Sequence, residues 1–430
     1  MDLKQIKELE QQEFTKRDKE LCLIASENYP DEDILEASGS IFQLKYAEGF
    51  PHKRYYQGCE IVDKMEQECI DKCLELFEAQ DNYYANVQPN SGASANMIVY
   101  NAVLEPQDYV LAMDVQSGAH ISHGHPKSFL AKYHNVVTYG VNQNGLIDYE
   151  EVEKLAMEYK PKLIICGASN YSPIIYFQKF KEIANKCGAY LMTDIAHIST
   201  LVAHGLHPSP IDIADFITFT THKMLAGSRG GVIIYKKEFD KQIKLSTIPS
   251  LFGGPLEHQI YAKLLCFNKM LQPEAKKYSE QILSNMKAIE NQFKIAGIPV
   301  VSNGTFNHLL TVDLTNFDIT GKQLAELLEE CGVICNCNSI PNDKRSFLET
   351  SGIRIGTPAV TKRGLNKIDC QTLGYHIAYL INCFKLDNHN LISGKKHLKH
   401  YVEYLVSRYP LKNIYPKMYD RLFNENKEIN

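Results

Sequence analysis

From Val62 onward the chain alternates between two hydrophobic patterns. Apolar positions recurring every three to four residues predict helices over Val62–Leu76, Ala95–Val103, Tyr149–Tyr159 and Lys179–Cys187. Between them lie short unbroken apolar runs at Tyr109–Met113, Asn135–Thr138, Lys162–Cys166, Tyr190–Thr193, Asp215–Phe219 and Gly231–Tyr235. Strands covered on both faces read this way, because neither side needs polar residues. The alternation predicts an α/β fold, a mostly parallel central sheet with helices on both faces. Upstream, Leu3–Leu23 reads as a charged helical arm. Ile24–Arg54 is polar and aromatic without a period, a segment that wraps over another element. The pattern changes near Phe267–Gln272. Glu274–Phe293 reads as one long amphipathic helix between two domains. Beyond it, Asn307–Asp313 and Val333–Asn336 read as strands flanking a helix at Gly321–Cys331, with helices continuing to Cys383 and again over Lys395–Ser407. The expected division is therefore residues 1–270, arm and large domain, and residues 271–430, a smaller α+β domain. Tyr415–Asn430 reads as a polar, disordered tail.

Composition narrows the class. A chain of 430 residues can bury two substantial cores, and its net charge of −5 offers no attraction for nucleic acid or an anionic membrane. The twelve cysteines are scattered, with no CxxC pair and no histidine set to complete a zinc site. Cys69 and Cys73 share a helix face, where reduced buried thiols are expected. The first residues lack an apolar signal core, and no stretch approaches the ~20 apolar residues of a membrane span. These features predict a reduced, cytoplasmic enzyme without a metal centre.

The chemistry centres on Thr220-Thr221-His222-Lys223, between an apolar run and the glycine-rich turn Gly227–Gly231. A lysine enclosed there loses part of its preference for the ammonium form and can attack a carbonyl. Asp194 closes the preceding strand and His197 follows it. In one parallel sheet, Asp194 and Lys223 emerge at the same carboxyl edge, where such sheets bind ligands. A carboxylate at that edge can hold a heterocyclic nitrogen protonated, as pyridoxal phosphate (PLP) requires. Upstream, Asn90-Ser91-Gly92-Ala93-Ser94 opens a helix with small residues and presents backbone N–H groups at its positive end, a cup for phosphate. Each feature alone has a plainer reading: a solvated lysine, an N-cap aspartate, a capped helix. Cup, aspartate and lysine in this order point to a PLP enzyme.

Five longer motifs extend that reading: Leu23-Ile24-Ala25-Ser26-Glu27-Asn28-Tyr29, Lys45-Tyr46-Ala47-Glu48-Gly49, Lys53-Arg54-Tyr55-Tyr56, Thr220-Thr221-His222-Lys223 and Thr350–Pro358. Through them the chain resembles serine hydroxymethyltransferase, a PLP-dependent transferase of fold type I. The resemblance runs from about Leu21 to Pro358 and more loosely to Pro410. It implies that Lys223 forms the Schiff base with PLP, beside His222, and that Asp194 pairs with the ring nitrogen. It implies that His120 stacks on the ring, that His197 and Ser169 bond the ring hydroxyl, and that Ser91, Gly92 and Ala93 take the phosphate. Gly254 resembles a glycine reaching the phosphate from a neighbouring subunit. Arg354, assisted by Ser26, resembles the clamp on the substrate carboxylate. Tyr46 and Tyr56 resemble tyrosines inserted by a partner subunit. Glu48 resembles the glutamate that handles the hydroxymethyl proton and, with Tyr55, Tyr56 and Asn338, faces tetrahydrofolate. Thr220 would offer a hydrogen bond near the Schiff base, and Arg229 a positive field beside Lys223. The implied activity is reversible one-carbon transfer from L-serine to tetrahydrofolate, in a homodimer with shared sites or a tetramer.

The chain also departs from the family. Its glycine-rich loop reads Ile248-Pro249-Ser250-Leu251-Phe252-Gly253-Gly254-Pro255, with Ser250 for a glycine and Phe252 for a glutamine. Gly227-Ser228-Arg229 replaces Gly-Pro-Arg, Ser199-Thr200 replaces Ala-Gly, and Val115–Ala119 lacks the usual leucine. These changes keep a second reading open, a folate-independent aldolase or transaldolase acting on a β-hydroxy amino acid with an aldehyde acceptor.

Overall fold

A computed structural model describes residues 1–384 and 388–424. Its main sheet contains seven strands. In chain order they are β1 (Tyr83–Asn86), β2 (Tyr109–Met113), β3 (Asn135–Tyr139), β4 (Leu163–Cys166), β5 (Tyr190–Asp194), β6 (Phe216–Thr220) and β7 (Gly231–Lys236). Across the sheet they run β1-β7-β6-β5-β4-β2-β3. Neighbours from β6 to β3 pair in parallel, and β7 runs antiparallel to both β6 and β1. Every residue of β4 and β6 is buried, which explains their unbroken apolar runs. The chain is an α/β protein with a mostly parallel central sheet, as the patterning predicts.

The helices that position chemistry start and stop for local reasons. Gly92–Val103 opens on a capping box in which Ser91 and Ser94 satisfy each other's backbone N–H groups. Phe177–Cys187 ends at Gly188 in the left-handed region (φ 76°), a stop that needs glycine's freedom.

The chain divides into two compact units, Asp33–Ser279 on one side and Met1–Glu32 with Glu280–Asn430 on the other. The expected boundary after residue 270 thus lies nine residues further on, inside the helix Pro273–Ile295. The N-terminal arm, expected with the large domain, groups with the C-terminal unit. There Leu21–Cys22 pairs in parallel with Val333–Ile334. The Arg363 guanidinium binds the carbonyls of Arg17, Asp18 and Glu20, the open end of the helix Leu3–Asp18. This unit is α+β: β8 (Leu309–Asp313) and β9 (Asn336–Asn338) flank β10 (Gly352–Gly356), both antiparallel to it.

Several elements differ from the sequence reading; the expected strand Val333–Asn336, for one, is two strands in separate sheets, Val333–Ile334 and Asn336–Asn338. Strand β1 escapes notice because Tyr83-Tyr84-Ala85-Asn86 carries no aliphatic run, and β10 because glycines bracket Ile353-Arg354-Ile355. A helix covers Glu257–Met270, where polar and apolar positions mix. The tail is not free: Pro416–Phe423 is helical, and Tyr419 and Phe423 pack their rings on Phe14 at 6.0 and 5.7 Å. Residues 425–430 of that tail lie outside the described residues. Among the described residues, no helix is long and apolar enough to cross a membrane.

Candidate active site

At the carboxyl edge of the parallel strands lies a cavity of about 340 Å³, within the 33–279 unit. Register explains its contents: β5 and β6 pair with Asp194 opposite Thr218, so the residues just past both strands emerge side by side. Asp194, His197, Thr220, His222 and Lys223 line the cavity, with Arg229. The turn after β6 is held by Thr221, whose hydroxyl donates to the Ser228 carbonyl at 2.6 Å and whose carbonyl accepts from Gly227 N–H at 2.8 Å. Lys223 sits at the head of that loop. His222 is pushed down to about 4 by burial and by the nearby Lys223 and Arg229 charges, so it is neutral at physiological pH.

The opposite wall is the start of Gly92–Val103. Ser91, Gly92 and Ala93 line the cavity, and the capping box leaves the Gly92 and Ala93 N–H groups without partners inside the helix. Close contact with the sheet demands glycines here. A methyl group at Gly231 would lie 2.1 Å from the Ser91 carbonyl, and one at Gly92 2.8 Å from Thr220 Cγ2. The third wall carries His120 and Ser169. Gly118 joins them, its carbonyl accepting from Ser169 N–H (2.8 Å) and Asn170 N–H (3.0 Å), with φ at 113°.

Asp194 is the most elaborately supported group. Its Oδ2 accepts from His123 Nε2 at 2.9 Å and Asn96 Nδ2 at 3.0 Å, and its Oδ1 from Ala196 N–H at 3.0 Å. Burial raises its pKa, but the bonds from His123 and Asn96 more than offset this and hold it far below the usual carboxylate range. His123 and Asn96 are the residues that sequence reasoning missed. His123 read as one of several histidines in a loop, and Asn96 as part of a helix. Only an i, i+4 step from Gly92 to Asn96 hinted that the two share the inward face of that helix.

The remaining candidates lie outside this cavity. Tyr46, Glu48, Tyr55, Tyr56 and Gly254 are in the same unit and gather in part. The Tyr46 and Tyr56 rings pack at 4.9 Å, and a methyl group at Gly254 would touch the Tyr46 ring at 3.1 Å. A methyl group at Gly253 would lie 3.2 Å from Glu48 Oε1. Glu48 is half-buried there, while Tyr46, Tyr55 and Tyr56 are exposed.

Ser26, Asn338 and Arg354 belong to the other unit. Arg354, buried in β10, donates from Nε to Asn336 Oδ1 at 3.2 Å, and burial pushes its guanidinium down to about 10. Gly356 lets the Ser26 segment approach: its N–H donates to the Leu23 carbonyl at 2.8 Å, and a methyl group there would sit 2.7 Å from Ala25 Cα. Asn338, on the β9 edge, pairs across from Gly352.

The protein-family model described as serine hydroxymethyltransferase matches residues 1–377. The chain belongs to the serine hydroxymethyltransferase family. Membership makes it a PLP-dependent transferase of fold type I, and the cavity fits that cofactor. The Thr220 hydroxyl is buried in its wall with no protein partner, as is suited to a polar ligand. The helix N-terminus offers N–H groups for a phosphate, Lys223 an amine and Asp194 an anionic carboxylate for a ring nitrogen. The volume lies within the range of small-ligand sites. Two departures from the serine hydroxymethyltransferase pattern have local structural roles. Ser250 accepts from Asn101 Nδ2 at 3.0 Å, and Phe252, partly buried, packs against the core cluster that includes Val110, Ile165 and Phe216. Ser199 and Thr200 are fully buried.

Proposed function

We propose that this protein moves a one-carbon unit reversibly between L-serine and tetrahydrofolate, giving glycine and 5,10-methylenetetrahydrofolate. The observation that carries the reading is the convergence of Lys223, Asp194 and the Ser91–Ala93 helix start on one cavity. PLP, when bound, supplies an electron sink for charge left on the substrate α-carbon. The chain's own residues do the rest. Lys223 offers its amine for the covalent link. Asp194, kept ionised, would hold a proton on the ring nitrogen. His120 and Thr220 would wall a bound ring, and Ser169 and His197 would bond its hydroxyl. Arg354, assisted by Ser26, binds the substrate carboxylate through two parallel hydrogen bonds, which fixes how the α-carbon bonds point. Glu48 takes and returns the proton on the hydroxymethyl oxygen, and Tyr55, Tyr56 and Asn338 face tetrahydrofolate. Tyr46, Tyr56 and Gly254 serve a neighbour's site, so the working unit is at least a homodimer.

The Ser250 and Phe252 substitutions each have a contact within the chain, a hydrogen bond from Asn101 and packing on the core, so neither by itself calls for a different acceptor. The test is the visible absorbance of the PLP-loaded protein with glycine, before and after adding tetrahydrofolate. A long-wavelength band that rises strongly only with both ligands is the expected result. A glycine response that tetrahydrofolate leaves untouched would transfer the reading to an aldehyde-using aldolase.

A further inference from the structure

We infer that Asn96 couples two cofactor-facing groups, sharing with His123 the support of an anionic Asp194 and, through Ser122, favouring the neutral Nε2–H tautomer of His120; the inference rests on the PLP reading of the cavity. Asn96 is fully buried on the helix that begins at the phosphate cup. Its Nδ2 lies 3.0 Å from Asp194 Oδ2 and 3.1 Å from Ser122 Oγ, and its Oδ1 accepts from Thr218 Oγ1 at 2.7 Å. The orientation of the amide is decided by Asp194. A flipped amide would press its carbonyl oxygen against a buried carboxylate, two acceptors with no hydrogen between them.

With the amide so fixed, its two N–H bonds are both committed, one to Asp194 and one to Ser122. Ser122 Oγ therefore accepts from Asn96, and its own hydrogen is left to point elsewhere. His120 Nδ1 lies 2.7 Å from that oxygen, and the Ser122 backbone N–H also donates to Nδ1 at 3.2 Å. A nitrogen receiving two donors carries no proton of its own. His120 must then hold its single proton on Nε2.

The consequence is a relay with a definite direction: Thr218 to the Asn96 carbonyl, the Asn96 amide to both Asp194 and Ser122, Ser122 to His120. Asn96 does not line the cavity, so it is a positioning residue. It ties the ring-nitrogen partner and the ring-face histidine to the helix that carries the phosphate cup. The charge pattern suits the chemistry: an anion where a proton must be held, and a neutral ring where a positive charge would compete for it. His123 completes the anionic side by donating to the same Asp194 oxygen.

The test reads the tautomer directly, by magic-angle-spinning NMR of PLP-loaded protein labelled with 15N-histidine, with His120 assigned by its loss in His120→Asn. The expected wild-type spectrum shows His120 with a bare Nδ1 and a protonated Nε2. In Asn96→Ala the Ser122 hydroxyl is free to turn and accept, so the excess of Nε2–H over Nδ1–H falls about tenfold, one hydrogen bond's worth. Ser122→Ala keeps the amide bond to Asp194 and removes the hydroxyl, and it gives the same fall should Asn96→Ala not fold. A wild-type His120 protonated on Nδ1, or a ratio unchanged in the variant, overturns the relay. A wild-type protein that takes up no PLP colour yet shows the Nε2–H tautomer upholds the relay and sinks the cofactor reading instead.

Discussion

Glu257 lies fully buried 3.9 Å from the Arg54 guanidinium, and neither of its oxygens has a hydrogen-bond partner. Arg54 is already committed: to Asp63 at 2.7 Å, Glu66 at 2.6 Å and the Ala47 carbonyl at 2.7 Å. Burial pushes both Glu66 and Glu257 upward. Glu66 also receives Gln88 Nε2 at 2.8 Å, so it is the one that ionises, and Glu257 is the one that keeps its proton. The sign of the linkage follows. The unfolded chain releases the Glu257 proton in the ordinary carboxylate range, the folded chain only well above it. Stability from this group is therefore full at low pH and lost as pH rises through that window. Glu257→Gln keeps the shape without the proton. It should raise the melting temperature at pH 8 by on the order of 2 °C, with the gain shrinking toward pH 5. Scanning calorimetry at both pH values checks this; a lower melting temperature at pH 8 would place the charge, not the proton, on Glu257.

At the scale of elements, the site depends on how closely β7 and the helix Gly92–Val103 approach. Three backbone carbonyls, of Val87, Pro89 and Gly231, surround the buried Lys263 Nζ at 2.6, 2.9 and 3.0 Å, so one ammonium pins the approach to the cup against the strand. A side chain at Gly231 meets the Ser91 carbonyl at once. Gly231→Ala should shift the helix start and weaken PLP binding about tenfold or more, since overpacking of this kind costs about 1–3 kcal/mol. Titration of the apoprotein with PLP measures it; unchanged affinity would show that the cup does not need this contact. The strands that build the edge were legible because their apolar runs admit no other period. Strand β10 was not, although its Arg354 was singled out, because only three residues, Ile353 to Ile355, lie between its glycines, too few to carry a periodic signal.

For the whole molecule, the shared-site proposal makes a prediction that a monomer cannot meet. Lys223→Ala disables a site from within, and Tyr56→Phe disables the site that its tyrosine enters. If sites are shared across a two-fold axis, mixing the two inactive proteins under conditions of subunit exchange should restore about a quarter of wild-type activity, from heterodimers with one intact site. No recovery, with exchange confirmed by native mass spectrometry, would return Tyr56 to its own subunit's chemistry.

The primary structure by itself determined the α/β class, most central strands, the Lys223–Asp194–Ser91 constellation and the family, because these depend on local period, on strand-end position and on contiguous motifs. Tertiary structure alone decided the rest. The arm joins the C-terminal unit because Arg363, more than three hundred residues away along the chain, binds the carbonyl end of its helix. His123 and Asn96 become partners of Asp194 only when helix, loop and strand meet at one edge. Hydrogen bonds between residues 71 and 98 positions apart leave no periodic trace in a sequence, since their geometry exists only once the sheet has brought the three segments together.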